Sequence, residues 1–203
     1  MKKINVKNKT LIISALAIIS LLSITTLAYF TSQDKVTNKI QTGDVDITVE
    51  EIVGEVDENL NWPKEVKIKN DSKSPVLIRV SIIPRWQDGN KPYLGDSTLI
   101  KLNFTNIANE GDYRIGTEKW VKGNDGYYYY NTIVDTGKAT KEILRSVQLN
   151  LPDDKKNIYE GKDLKVDVKA EAIQATTDAY KAAWTSIKDK SEIDKMIKKL
   201  CIR

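Results

Sequence analysis

The chain has 203 residues, with 32 basic and 28 acidic side chains and no histidine. Four of the basic residues lie within positions 1–28, so the rest of the chain holds 28 charges of each sign, which argues against nucleic acid as a partner because that recognition needs a basic face. The lack of histidine excludes Ser-His-Asp and Cys-His catalytic arrangements and the usual zinc sites built on imidazole.

Residues 1–28 have the organisation of a secretory signal peptide. Positions 1–9 contain four lysines and no acidic residue, and positions 11–28 are apolar apart from scattered Ser and Thr. Small residues close the segment, which predicts cleavage between Ala28 and Tyr29. An uncleaved anchor is the alternative, since about 18 apolar residues is also the lower limit for crossing a bilayer. We favour cleavage because no cluster of Lys or Arg follows, and we expect a secreted protein that begins with a signal-peptide helix.

Residues 43–175 are predicted to form one β-sandwich domain. Alternation of apolar and polar residues, or a β-prone aromatic run, predicts strands within 44–50, 66–68, 76–82, 127–130, 147–151 and 164–172. The third run places Val76, Ile78, Val80 and Ile82 on one face and is expected to stop at Pro84. Residues 85–123 are less periodic and are expected to be loops with short strands. Short strands separated by turn clusters favour a mainly β fold.

Residues 176–203 change to a helical pattern. Apolar residues recur there at spacings of three and four, namely Tyr180, Ala183, Trp184, Ile187, Ile193, Ile197 and Leu200. This spacing predicts a C-terminal amphipathic helix or a pair of helices broken near 188–191. Such a basic helix can lie on a membrane or dock on the sandwich, and we favour docking because acidic residues interrupt its polar face.

No catalytic, cofactor-binding or metal-binding residue is predicted. The carboxylate pairs Glu50-Glu51 and Asp153-Asp154 are of a kind common on solvated turns, and they specify no chemistry. Asp44 and Asp46 could help to bind calcium, but solvent-facing positions on a strand are the favoured interpretation. Cys201 is the only cysteine, so it is a free thiol or an intermolecular bridge, and we assign it no role.

Several segments, taken in order, resemble the TasA/camelysin family of exported proteins, in the branch labelled alternate signal-mediated exported proteins. The resemblance covers the chain from its start to about residue 184. It is carried by Ala28-Tyr29-Phe30-Thr31, Val36-Thr37-Asn38, residues 42–47, 66–70, 76–80, Trp120, 125–130 and 170–175.

The resemblance implies a jelly-roll-like β-sandwich that is a structural subunit of biofilm-matrix or surface fibres. It also implies a SipW-type signal peptidase that cuts before Tyr29. Subunits of this family are expected to polymerise by donor-strand complementation, so the implied partners are other copies of the chain, with a second fibre subunit left open. No cofactor is implied.

The candidate donor strand is residues 29–42, with Tyr29, Phe30, Val36 and Ile40 as its apolar side chains and Gly43 as its hinge to the sandwich. Pairing of this segment within its own subunit is the alternative. The family also includes camelysin, described as a metalloprotease, but we expect no enzyme here because the usual zinc ligands are missing. A monomeric surface adhesin or fibre accessory protein is the remaining alternative.

Overall fold

The computed structural model describes residues 45–201. Nine strands and three α-helices follow one another in the order β1 Ile47–Val53, β2 Asn61–Asn70, β3 Val76–Asp88, β4 Lys91–Tyr93, β5 Ile100–Phe104, β6 Trp120–Lys122, β7 Tyr128–Tyr130, β8 Leu144–Leu149, α1 Lys156–Tyr159, β9 Asp163–Gln174, α2 Thr177–Ala183 and α3 Glu192–Cys201. Short 3-10 helices cover Ser97–Leu99 and Asp153–Lys155. The predicted signal peptide and its cleavage site, the donor strand and its hinge at Gly43 lie outside the described residues.

The strands form two antiparallel sheets. The first sheet has the order β1-β2-β8-β5. In the second sheet β3 is central, with β9 along one edge and with β4 and β7 on the other, and β6 lies beyond β7. The mainly β fold with a C-terminal helical region is therefore confirmed.

The core lies between the facing sides of the two sheets. Val76, Ile78, Val80 and Ile82 of β3 are all buried in it, as their predicted common face requires. Val66 and Ile68 of β2 and Leu144 and Val147 of β8 supply the opposite wall. The alternation seen in the sequence thus corresponds to the pleat of a strand with one face in the core.

The predicted end of the third strand at Pro84 is wrong, because β3 continues to Asp88. The Val76 N–H donates to the Val134 C=O at 3.0 Å, on the edge of β3 opposite β9. Even-numbered β3 residues share that direction, so the N–H that Pro84 lacks falls on the same edge. There β7 pairs with Arg79 and Val80 only, and β4 begins its pairing at Trp86. Proline is tolerated because no partner at that point loses a hydrogen bond.

The other predicted strands keep their places with small shifts. The aromatic strand is β7, and it follows a turn in which Gly126 has a φ of 84°, a conformation that glycine adopts without strain. β8 begins before the predicted run and ends at Leu149, which leaves Leu151 outside it. Residues 85–123 contain the end of β3 and the short strands β4, β5 and β6.

The C-terminal region is a pair of helices, as one of the two predictions had it. α2 and α3 are separated by residues 184–191, where Lys190 has a positive φ of 62°. Their apolar side chains pack on Leu77, Tyr129 and Ile173, which lie on the outer face of the second sheet. Docking of the helices on the sandwich is therefore confirmed. Within 45–201 no helix has both the length and the apolar character needed to cross a membrane.

The sandwich has two unlike ends. At the near end, β1 begins beside Asn70, β9 ends beside Val76, and a short loop joins β2 to β3. The far end carries the β1–β2 loop, the β3–β4 turn and the segment that leads from β8 through α1 to β9. β1 therefore runs from the near end to the far end, and β9 runs in the opposite direction.

Candidate functional site

The free edge of β9 is the most extended run of unpaired backbone in the described part of the chain. Odd-numbered residues of β9 turn their N–H and C=O groups towards β3, as the adjoining Ala175 shows by donating to the Pro75 C=O at 3.3 Å. Even-numbered residues therefore turn theirs away from β3. No strand within residues 45–201 pairs with that side of β9. The groups that face this edge belong to Leu164, Val166, Val168, Ala170 and Ala172.

The side chains of those same five residues point into the sandwich. Four of them are buried, and Val166 is half-buried against the core. Backbone groups that no strand within 45–201 pairs with thus border an apolar interior along β9. An added strand could satisfy both, because its main chain would pair with β9 and its alternate side chains would enter the core.

β1 lies beside β9 on the same side of the sandwich and also has a free edge within the described residues. Its inward side chains begin as apolar Ile47 and Val49 but continue with Glu51. The Lys64 Nζ donates to the Glu51 Oε2 at 2.6 Å, and Lys64 itself is buried. Inward-pointing charge is one device that discourages strand addition at an edge. β9 is therefore the better acceptor of the two strands, and we call the β1/β9 side the open side.

The opposite side of the sandwich, which we call the closed side, is sealed by the chain itself. The segment after β5 crosses to β6, where the Trp120 N–H donates to the Asn106 C=O and the Ala108 N–H donates to the Trp120 C=O, both at 2.9 Å. The Trp120 and Tyr130 ring centroids lie 4.9 Å apart, and the Trp120 Nε1 donates to the Lys141 C=O at 3.0 Å. This side therefore offers no comparable row of unpaired groups.

A buried ionic cluster supports β9 from its outer face. The Arg79 Nε donates to the Glu171 Oε2 at 2.8 Å, and the Arg79 Nη1 lies 3.7 Å from the Asp125 Oδ2. The guanidinium lies 3.9 Å from the Tyr127 ring centroid and 4.9 Å from that of Trp184. Arg79 therefore joins β3, β9, the β6–β7 turn and the C-terminal helical region, and we call this cluster the Arg79 clasp.

The clasp holds its carboxylates in the charged form. Burial pushes the pKa of Glu171 upwards, but hydrogen bonds from Lys169, Tyr127 and Arg79 outweigh it, so the pKa lies below its usual value. Burial acts in the same direction on Asp125, and hydrogen bonds from the Tyr129 and Ser186 hydroxyls again bring its pKa down. Because each of these charges is paired, we interpret the clasp as a structural support for β9.

The carboxylate pairs noted in the sequence do not form sites. Glu50 pairs with Lys67 at 3.2 Å on the outer side of β1, whereas Glu51 points inward to Lys64. Asp153 forms a surface ion pair with Lys156 at 2.7 Å. Asp46 is exposed, and its N–H donates to the Ser72 Oγ at 2.7 Å. Within 45–201 no group of three or more His, Cys, Asp or Glu side chains is placed to hold a metal ion.

The acceptor edge and the Arg79 clasp are features that the sequence patterns left unassigned. Leu164, Val166, Val168, Ala170 and Ala172 were recognised as one apolar face, but the order of strands decides whether that strand is central or at an edge. Arg79 and Glu171 stand out as charges within apolar runs, which is a signal for a second covered face. The pattern of a single strand does not show that Arg79 of β3 and Glu171 of β9 pair with each other.

The chain was also compared with known proteins. No family model, no curated protein and no solved structure matches it.

Proposed function

We propose that the protein is an exported structural subunit of extracellular fibres, which grow when the N-terminal segment of one copy adds as a strand to β9 of the next. The proposal includes the signal peptide with cleavage before Tyr29, a place in the extracellular matrix or at the cell surface, and a jelly-roll-like arrangement completed by the donor. The observation that carries it is the free edge of β9. Five consecutive even-numbered residues there combine inward apolar side chains with backbone groups that pair with no strand among residues 45–201.

The candidate donor has a pattern that suits this edge. Phe30, Val36 and Ile40 are all even-numbered, so they lie on the same face if residues 29–42 are extended. A fully extended run of that length spans about 48 Å, and the 12 residues of β9 span about 40 Å. The donor is therefore long enough to cover the acceptor strand. Contacts of this kind run head to tail without closing, and they produce filaments.

The first test compares two forms of the protein, one beginning at Tyr29 and one beginning at Gly43. Size-exclusion chromatography and negative-stain microscopy should detect fibres only for the form that retains residues 29–42. If both forms remain monomers at high concentration, self-polymerisation is refuted and the accessory or adhesin role becomes the better proposal.

A matched pair of variants separates strand addition from a general effect of the segment. Val36→Asp with Ile40→Asp should abolish fibres, because it places two charges on the face that would enter the core. Thr37→Asp with Lys39→Asp changes the opposite face and should leave fibres intact. Equal loss in both variants would contradict an alternating donor strand.

A further inference from the structure

Exposed apolar side chains are concentrated at the far end of the sandwich. Of the five large aliphatic side chains exposed among residues 45–201, four lie there, namely Ile52, Val53, Leu94 and Ile158. Leu94 is fully exposed, with a relative accessibility of 103%. The next residue, Gly95, packs so closely on the Trp86 ring that a side chain there would clash. The chain is thus held in place beside Leu94, whose side chain is exposed to solvent close to the β3–β4 turn.

The near end carries a cavity of about 570 Å³. The cavity is open to solvent and its lining is mixed, with apolar Pro75, Ile133, Ala175 and Leu200 beside polar Ser74, Thr132, Asp135, Gln174 and Thr176. This volume falls within the range of pockets that bind sizeable groups. The near end therefore has a recess whose apolar part could contact an aliphatic side chain.

The described chain begins at the near end, close to this cavity. The Asp46 N–H is held by Ser72 at 2.7 Å, only a few residues from Pro75 in the cavity wall. A donor that starts there and enters β9 of a neighbour where that strand begins brings the far end of the neighbour onto the near end of the donating copy. In this arrangement the donor runs antiparallel to β9. A segment folded back on its own β1 would run parallel to β9 instead.

The charges of the two ends also favour contact between a far end and a near end. Residues 54–60, 88–96 and 150–163 at the far end include nine acidic and four basic side chains, so two far ends repel each other. Loops 70–75 and 131–143 at the near end hold three charges of each sign. A far end therefore meets a near end more favourably than it meets another far end.

From these features we infer that consecutive copies also touch through their ends, with Leu94 and Ile158 of one copy packed in the near-end cavity of the next. The partner is a second copy of this chain, and the contact is separate from the acceptor edge of β9. The inference rests on the proposed function, since the donor strand brings the two ends together.

Leu94→Glu tests the contact in the form that begins at Tyr29. The critical concentration for assembly should rise by about tenfold or more, because that is the weight of one buried leucine in an association equilibrium. Ile83→Glu makes the same change at another exposed aliphatic residue, on the outer face of the second sheet, and should leave assembly unchanged. Equal critical concentrations for Leu94→Glu and the parent would overturn the inference.

Engineered cysteines locate the contact directly. In a Cys201→Ser background, Leu94→Cys combined with Asp135→Cys should give a ladder of disulfide-linked oligomers from oxidised fibres on a non-reducing gel. Either cysteine alone should give no species beyond dimers. Fibres that form without this ladder would place the cavity away from Leu94 of the neighbour and would also overturn the inference.

A peptide of residues 29–42 separates this failure from failure of the proposed function. The form beginning at Gly43 should bind the peptide, and its Leu94→Glu variant should bind with the same affinity, because Leu94 lies away from the β9 edge. Peptide binding together with normal assembly of Leu94→Glu refutes only the end contact. No peptide binding by either form refutes the donor-strand function, and the end contact with it.

Discussion

The two sides of this sandwich differ in how the edges of their sheets are covered. On the closed side the chain crosses between the sheets, pairs its own backbone with β6 and buries Trp120 against Tyr130. On the open side β9 keeps five residues whose outward backbone groups find no strand within 45–201. The closed side supplies stability to the single copy, and our proposal assigns association to the open side. From this difference we infer that an edge bordered by apolar side chains, as at β9, is the better candidate for an added strand.

The sharpest test of this contrast removes packing from each side. Trp120→Ala should lower the free energy of unfolding by about 3–5 kcal/mol, because it empties a fully buried site. Val166→Ala on the open side should cost about 1 kcal/mol or less in the form beginning at Gly43, since Val166 is only half-buried there. Urea denaturation measures both values. Equal losses would show that the open side is packed as tightly as the closed side.

Breaking the Arg79 clasp should destabilise β9, because the clasp contacts the outer face of that strand. Arg79→Met removes the cation that Glu171 and Asp125 share and leaves Glu171 with Lys169 and Tyr127, so the free energy of unfolding should fall by about 2 kcal/mol or more. Urea denaturation gives the total loss, and amide exchange should show faster opening in β9 than in β8. The matched variant Arg114→Met breaks an exposed pair with Asp112 and should leave the free energy of unfolding almost unchanged. Similar losses of stability in the two variants would show that the clasp does not support β9.

Acid should loosen the same region. The pKa values of Glu171 and Asp125 are lowered in the folded protein, so their contribution to stability is present above the unfolded values near 4 and is lost as the pH falls through the folded values. Urea midpoints between pH 7 and pH 3 should therefore decline most steeply below about pH 4. The Glu171→Gln and Asp125→Asn double variant should show a flatter decline. An unchanged slope in that variant would assign the acid sensitivity to other carboxylates.

The smallest effect on stability concerns the two strands of the open side. Replacing the inward pair with Glu51→Val and Lys64→Met should change stability by less than about 1 kcal/mol, because exchanging an ion pair for apolar side chains is often close to neutral. The variant should nonetheless associate less selectively, since β1 then offers an apolar edge as β9 does. Light scattering of the form beginning at Gly43 measures this association. Unchanged scattering would show that Glu51 and Lys64 do not protect the β1 edge from association.

Local patterns were sufficient for much of the fold. The alternation in β3 and β9 identified their inward faces, and the spacing of Tyr180, Trp184 and Ile197 identified helices with a covered side. These features depend on neighbours a few residues apart, so they are visible in a single sequence. Pro84 misled the prediction because the cost of a proline depends on whether a partner strand lies beside its nitrogen.

The candidate site depends on long-range pairing, which the pattern of one strand does not contain. The apolar face of β9 was visible, but its position at an edge follows from pairing with β3, about 90 positions away along the chain at Arg79 and Glu171. The clasp and the near-end cavity have the same origin, because each collects residues from separate elements. The donor segment came from a family resemblance, and it stays a prediction.

Residue-resolved amide exchange on the protein that begins at Tyr29, measured first as a monomer and then after assembly, tests the central claim most directly. In the monomer, the amides of Leu164, Val168 and Ala172 should exchange quickly, while those of Lys169 and Glu171 should be protected by β3. In fibres, the three fast amides should become protected as well, because the donor strand now accepts their hydrogen bonds. Slow exchange of all five amides in the monomer, or fast exchange of the first three in fibres, would contradict the acceptor role of β9.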